Sequence, residues 1–480
     1  MSSAAKAIAA QGLARRALSL GVVKALDQGL QFLLPIVLVR CLDAHTFGEY
    51  RLLWLAIGTV MALAPFSMPG ALYYFLPRSD AETRRLYVHQ TIAFLAVTGV
   101  IAAFIVSPLN PWMPKTLEPL AKYGPLVPVF VALWVVCVLL DFLPTIEERI
   151  PLQAAANISM AIARAGLTAA AAWFTRDMGA IVWVLLAVVL LKLAFLISYV
   201  QRFHGWKRPW FSGAVFRGQI HYTAPFGVSS AAYVLRGQAD QWVAAALVTL
   251  HSFAAFSIAA ILGQVVNLFR QSVVEAFMPS MSRMEAAGQL KSMMEMNARA
   301  NAMVGLLLFP LLGFVFAFAE DIVTLIYTGS YVDAAPVMRV YVLGMLALVV
   351  ELNSVLQLLR QGVFNLGLSL LILAVSVPLS WAGGVELGLA GAAIGSAVAL
   401  YLDRVLVLRR ISRITGVPVR HLQHWQSLAR YLAWTVVATL GAWLVGHHLF
   451  ADSPIILRLA MGGVVLAAVY GAVNWKKLKP

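Results

Sequence analysis

Residues 179–201 read GAIVWVLLAVVLLKLAFLISYVQ, 23 positions of which one, Lys192, is charged. As a helix this run rises about 34 Å at 1.5 Å per residue, enough to cross a hydrocarbon core of about 30 Å. It is too long for a strand and too uniformly apolar for a helix with one wet face. The same signature recurs on both sides of it. Apolar runs of about 20 residues lie near 17–41, 51–75, 87–108, 124–143, 151–175, 220–248, 253–278, 301–319, 334–358, 363–382, 388–408, 429–449 and 455–473. Composition agrees: the 480 residues are 61% hydrophobic and 12% charged, against about 25% charged in soluble domains.

The expected fold is therefore an all-α polytopic membrane protein with about fourteen transmembrane helices. The first run, from Leu18, is longer than the apolar core of a cleaved signal and reads as a span that stays. Spans one to six and seven to twelve form blocks of similar length, each closed by a basic segment. This predicts two six-helix lobes, 1–205 and 206–412, as parallel repeats, with two additional C-terminal helices in 413–480.

The formal charge of +15 is mostly topological. Of 36 Lys and Arg, 24 fall in the N-terminal arm and every second connection, Arg404 among them, and 6 in the opposite connections. Cytoplasmic loops carry that excess, so both termini are predicted to be cytoplasmic, and no nucleic-acid surface is implied. The remaining 6 cations lie inside apolar runs: Lys24, Arg164, Lys192, Arg236, Arg270 and Arg339, accompanied by Asp27, Asp240, Glu275 and Glu351. A charge at mid-bilayer costs about 2.5–3.5 kcal/mol on insertion scales, and such residues line pathways or face partners. Their net of +2 points to an anionic cargo.

Helical spacing gathers these residues into faces. Lys24, Asp27, Gln28 and Gln31 form one stripe in span one; Ser229, Tyr233, Arg236 and Asp240 form another in span seven. Span eight adds Gln264, Asn267, Gln271 and Glu275 with Arg270 beside them, and span ten adds Glu351, Asn353, Gln357 and Arg360. Lys24 with Asp27 and Arg236 with Asp240 are also spaced for pairing within their own helices. Arg164 and Lys192 have no acidic neighbour in their own spans, and Lys192 sits where it could snorkel to an interface. Within spans, Pro35, Pro65, Pro69, Pro225, Pro310 and Pro378 mark bends, and Gly391 with Gly395 stand at the spacing of close helix packing.

Several chemistries are excluded. Cys41 and Cys137 make no disulfide scaffold or zinc site, and His421 with His424 and His447 with His448 lack a further ligand at metal spacing. No phosphate-binding GxxxxGK[ST], GxSxG or HExxH occurs, and no connection exceeds about 20 residues, so no metal, cofactor or enzymatic activity is expected.

Three stretches carry a family resemblance. They are LVRCLDAHTFGEYRLLWLA from Leu38, TAPFGVSSAAYVLRGQADQWVAA from Thr223, and FMPSMSRMEAAGQL from Phe277 followed by LFPLLGFVFAFAEDIVTLIYTGSYVDAAPVMRVY from Leu308. The first, with its Phe47-Gly48-Glu49-Tyr50 element, resembles the first-loop signature of Wzx-type polysaccharide flippases of the MOP superfamily. The second is similar to that family's proline-led seventh span, here with Pro225 and Asp240. The element is not clearly repeated after span seven, where Phe256 and Ser257 stand, and from span twelve onward only hydropathy matches.

The resemblance implies a flippase moving an undecaprenyl-pyrophosphate-linked oligosaccharide, an O-antigen, exopolysaccharide or capsule repeat unit, across the bacterial inner membrane by alternating access. Its partners would be that substrate, bilayer lipids, and a polymerase or other polysaccharide-assembly proteins. Arg270, Arg164, Lys24 and Arg236 are the expected pyrophosphate contacts. Gln28, Gln31, Tyr233, Gln264, Asn267 and Gln271 are the expected sugar-facing polar lining, and Asp27 and Asp240 the expected gating or ion-coupling groups. Whether membrane potential or an exchanged H+ or Na+ drives transport is open at this point. The alternatives are a MATE-like cation-coupled multidrug antiporter, disfavoured by the positive surplus, and a non-transporting scaffold.

Overall fold

The computed structural model describes residue 26 and residues 28–478; Lys24 and Asp27 lie outside the described residues. The described residues form helices joined by short connections, with no strand among them. Among the described residues ten helices are long and apolar enough to cross a membrane. The chain is therefore a multi-pass membrane protein, and large apolar side chains such as Val97, Val100, Ile101 and Phe104 are exposed, as a lipid-facing surface requires. It divides into two compact units, Met1–Leu235 and Arg236–Pro480.

The first unit contains α1 (Gln28–Cys41), α2 (Ala44–Leu63), α3 (Ala81–Ile105), α4 (Leu126–Ile146), α5 (Ile150–Thr175) and α6 (Met178–Phe203). Asp43 caps α2, its Oδ1 accepting from His45 N at 2.9 Å and Thr46 N at 3.0 Å. The element that follows is turned inward: Phe47, Glu49 and Tyr50 are all buried. Lys122 Nζ and Tyr123 OH both donate to the Glu49 carboxylate, the lysine at 2.5 Å, which compensates the burial of that charge.

The second expected span is not one helix. After α2, Phe66 and Ser67 adopt left-handed φ of 46° and 58°, and the chain becomes helical again over Met68–Phe75. Pro65 and Pro69 bracket this break and account for it. A Cβ on Gly227 would stand 2.8 Å from the Phe66 ring, so glycine is what admits the bend there. Leu72, Leu95, Val135, Leu139, Leu143 and Val200 form the unit's core.

Three successive polar residues in α3 fasten the connection after α6. His89 Nε2 lies 2.9 Å from Gly205 O, Ser212 N donates to Gln90 Oε1 at 2.9 Å, and Gln219 Nε2 donates to Thr91 Oγ1 at 2.9 Å. Each side chain thus makes at least one hydrogen bond, which offsets part of the cost of burying it in an otherwise apolar helix.

α7 (Gly213–Leu247) contains the unit boundary and is not among the ten, because Ser229, Tyr233, Arg236 and Asp240 interrupt its apolar run. The second unit continues with α8 (Leu250–Ala286), α9 (Leu290–Ala317), α10 (Ala334–Val349), α11 (Gly362–Thr415), α12 (Trp425–Leu449) and α13 (Ile455–Leu478). α11 joins the expected spans eleven and twelve across a kink at Gly388, whose φ of 67° and ψ of −146° are not helical. Its two arms touch through glycine: a Cβ on Gly391 would lie 1.9 Å from Gly383 O, and one on Gly395 would lie 2.3 Å from Ser380 N. The second arm runs to Thr415 and ends with Gly416 in the left-handed conformation, its N–H donating to Ser412 O.

The expected polar stripe at the end of span ten is corrected. α10 stops at Val349, and the Glu351 carboxylate accepts from Asn353 N at 2.8 Å and Ser354 N at 3.2 Å, starting a new short helix. The turn is held by a buried amide network. Asn297 Nδ2 and Asn301 Nδ2 each donate to Glu351 O at 3.1 Å, and Gln423 exchanges hydrogen bonds with both asparagines.

Candidate functional site

α7 places Arg236 and Asp240 one turn apart, yet neither uses the other. Arg236 Nη1 donates to Asp403 Oδ1 of α11 at 2.6 Å, with Asp403 only 2% exposed. Asp240, also buried, accepts at Oδ2 from Tyr341 OH of α10 at 2.8 Å and at Oδ1 from Gln241 N at 2.8 Å. The spacing allowed the intrahelical pair, but each side chain faces a different neighbouring helix.

Arg404, the next residue after Asp403, is 5% exposed and not in a connection as its basic neighbours suggested. Its Nε lies 3.7 Å from Asp403 Oδ2, too far for a hydrogen bond. Arg404 Nε and Nη1 have no hydrogen-bond partner among the described residues, and the same holds for Arg270 Nε and Nη1. Arg270 spends one donor on Asn267 Oδ1, 2.9 Å away on the preceding turn of α8. Arg270, Arg236, Asp403 and Glu351 are the charges that bear most on Arg404, and with it they make up a set of five.

Three guanidiniums against two carboxylates leave this cluster at +1. Glu351 is occupied as a helix cap and Asp403 is shared, so the surplus resides on Arg270 and Arg404. A buried donor left unpaired costs about 1–3 kcal/mol, more for a charged group. Oxyanions relieve that cost, since arginine donates along a planar fork that fits phosphate oxygens. The α8 face beside it is polar and exposed: Gln264, Asn267, Gln271 and Glu275, with Gln271 Nε2 donating to Glu275 Oε1 at 3.0 Å. Tyr233, Gln28 and Gln31 are exposed as well.

Arg164 belongs to a separate place, in the first unit. Its guanidinium lies over Trp54 and Trp134, 5.3 and 5.7 Å from the ring centres. Lys192 stands 5.4 Å over the same Trp134 and donates to Asp141 at 2.8 and 2.9 Å. The carboxylate that its own span lacks thus comes from the end of α4. Arg339 is likewise paired, with Glu320 at 3.0 Å.

The structure therefore brings Arg236 and Arg270 together with Asp403 and Arg404, which sequence reading passed over. One signal was available: Asp403 and Arg404 are adjacent charges within an apolar run, the same pattern that singled out the others. Their proximity to Arg409, Arg410 and Arg413 disguised it. Among the described residues no cluster of His, Cys, Asp and Glu could hold a metal ion.

The family model described as polysaccharide biosynthesis protein matches residues 13–285, more than half of the chain. The chain belongs to that family. It agrees with the polysaccharide-flippase resemblance read from the sequence. Solved structures agree in fold. The lipid II flippase MurJ in an inward closed conformation superposes with a TM-score of 0.70 at 11% identity, over 96% of this chain and 99% of that one. An inward-facing multidrug resistance MATE transporter of the MOP superfamily gives 0.63 at 14% identity, over 81% and 96%. A MOP superfamily transporter from Pyrococcus furiosus, described as having a binding pocket of reverse polarity, gives 0.52 at 13%, over 83% and 95%. No curated protein matches the sequence. The polysaccharide biosynthesis family member thus has the fold of these membrane proteins.

Proposed function

We propose that this protein is a flippase carrying an undecaprenyl-pyrophosphate-linked oligosaccharide from the cytoplasmic to the outer leaflet of the bacterial inner membrane. The observation that carries the reading is the pair of under-satisfied arginines, Arg270 and Arg404, in a membrane protein of the polysaccharide biosynthesis family. Pyrophosphate offers the oxygens these guanidiniums lack. Arg236 holds the cluster in place through Asp403, and the α8 amides suit a hydroxylated sugar. Lys24 is assigned to the same task by its charge, and Arg164 is assigned to a second anion contact beside the two tryptophans.

The reading takes the chain as fourteen spans in two six-helix lobes plus two, with both termini cytoplasmic, alternating access as the transport cycle, and a polymerase acting on the product. An interior-negative potential favours outward passage of an anion by about 2.3 kcal/mol per charge per 100 mV. Asp240, whose hydrogen bonds come from neutral groups, is the proposed ion-coupling carboxyl with Asp27.

In a strain lacking the gene, Arg270→Ala or Arg404→Ala should insert normally yet lower surface polysaccharide about tenfold or more, the loss matching about 1.4 kcal/mol of anion contact. Normal polysaccharide from both variants would sink the assignment. Extrusion of organic cations is disfavoured by the positive surplus; drug resistance without a glycan phenotype would reverse that order. Flipping in liposomes holding this protein alone separates a carrier from a scaffold.

A further inference from the structure

The turn between α8 and α9 borders a cleft of about 810 Å³ in the second unit, closed on its other side by Gly416–His421 beyond α11. Both helices are long and apolar enough to cross a membrane, and the apolar runs 253–278 and 301–319 end at Phe277 and resume after Arg299, so that end of the cleft falls at the membrane–water boundary and the turn beyond it. The lining is amphipathic. Phe277, Met284 and Met296 supply apolar wall, while Lys291, Ser292 and Arg299 supply a cationic and hydroxylic edge.

The charges around the cleft favour an anion. Glu295 also lines it, but its carboxylate is occupied: Arg299 Nε and His424 Nε2 each lie 3.1 Å from Oε1. His421 accepts from Arg420 Nε at 3.1 Å, which brings a third cation to the rim. With Arg299 spent on Glu295, Lys291 and Arg420 remain as the cationic surplus at the rim. The first turn of α9 adds unpaired backbone N–H groups and partial positive charge, since Gln289 provides no side-chain cap.

We propose that this cleft binds the phosphate headgroup of an anionic glycerophospholipid, with its glycerol and first methylenes against Phe277, Met284 and Met296. A free phosphate would use the edge and leave that apolar wall wet; a lipid uses both. Basic pockets between spans at a membrane surface hold such headgroups for this reason. The site is separate from the Arg236, Arg270, Arg404 cluster and does not rest on the transport reading.

The test is native mass spectrometry of the full-length protein released from nanodiscs of equal phosphatidylglycerol and phosphatidylcholine. Wild type should retain phosphatidylglycerol preferentially. Lys291→Glu with Arg299→Ala should cut that preference about fivefold or more, since each Lys or Arg near a lipid surface contributes about 1 kcal/mol. Met296→Trp, which fills the wall without changing charge, should do the same. Unchanged preference in both cleft variants would overturn the site. Displacement of the lipid by millimolar inorganic phosphate would instead mark a soluble-anion site and overturn the lipid assignment.

Discussion

At the scale of single residues, the decisive one is Asp403. It receives Arg236 at 2.6 Å and lies beside Arg404, so removing it takes the nearest carboxylate from a half-buried and a buried guanidinium. Asp403→Ala should destabilise the detergent-solubilised protein by about 3–5 kcal/mol. Arg236→Ala with Asp403→Ala should cost less than Asp403→Ala alone, read as melting temperatures in a double-mutant cycle. A second residue, Glu147, lies in the connection between α4 and α5. Burial pushes its carboxyl up, but hydrogen bonds from His204 and Tyr199 and the charges of His204 and Arg149 outweigh burial and hold it below the usual carboxylate range. A depressed folded value means that stability is fully present above the unfolded value of about 4.3 and is lost as pH falls through the folded one. Glu147→Gln should therefore melt lower than wild type at pH 7, and the gap should close in acid. A gap that persists unchanged into acid would show that ionisation is not what Glu147 contributes.

At the scale of elements, proline and glycine carried the legible signals. Pro65 and Pro69 marked the break after α2, and Gly391 and Gly395 marked the close packing inside α11. Gly388 and Gly391 are glycine for different reasons. Gly388 has open space around its missing Cβ, so Gly388→Ala meets only the backbone strain of a positive-φ, extended-ψ conformation, about 1–3 kcal/mol. Gly391→Ala must drive two arms apart from a 1.9 Å Cβ–oxygen approach, so it should lower the melting temperature more than Gly388→Ala does. Equal effects would mean that the arms are not held in contact. The end of span ten was not legible, because helical spacing assumes a helix that continues. Glu351, Asn353 and Gln357 fit a stripe on paper, whereas Glu351 caps a new helix and draws Asn297, Asn301 and Gln423 around its carbonyl.

For the whole molecule, cargo follows from the balance of charge within the membrane more than from the total of +15. If outward passage of an anion is assisted by the potential, collapsing it should slow flipping in a reconstituted assay, and Asp240→Asn should remove any additional dependence on a pH gradient. Flipping that ignores the potential but still needs Asp240 would assign the drive to an ion.

Residue types alone determined that this chain is an all-helical multi-pass membrane protein, since long apolar runs have no other stable solution in lipid, and three motif stretches pointed to its family. They also singled out Arg236 and Arg270, because charge inside such a run is costly wherever the chain folds. Partners were decided by the tertiary structure. Arg236 meets Asp403 across 167 positions, Lys192 meets Asp141 across 51, and Arg404 is buried because the second arm of α11 continues to Thr415. Helical spacing reports which residues share a face. Which neighbour that face meets depends on helices distant in sequence, and there the charge of +1 around Arg404 was assembled.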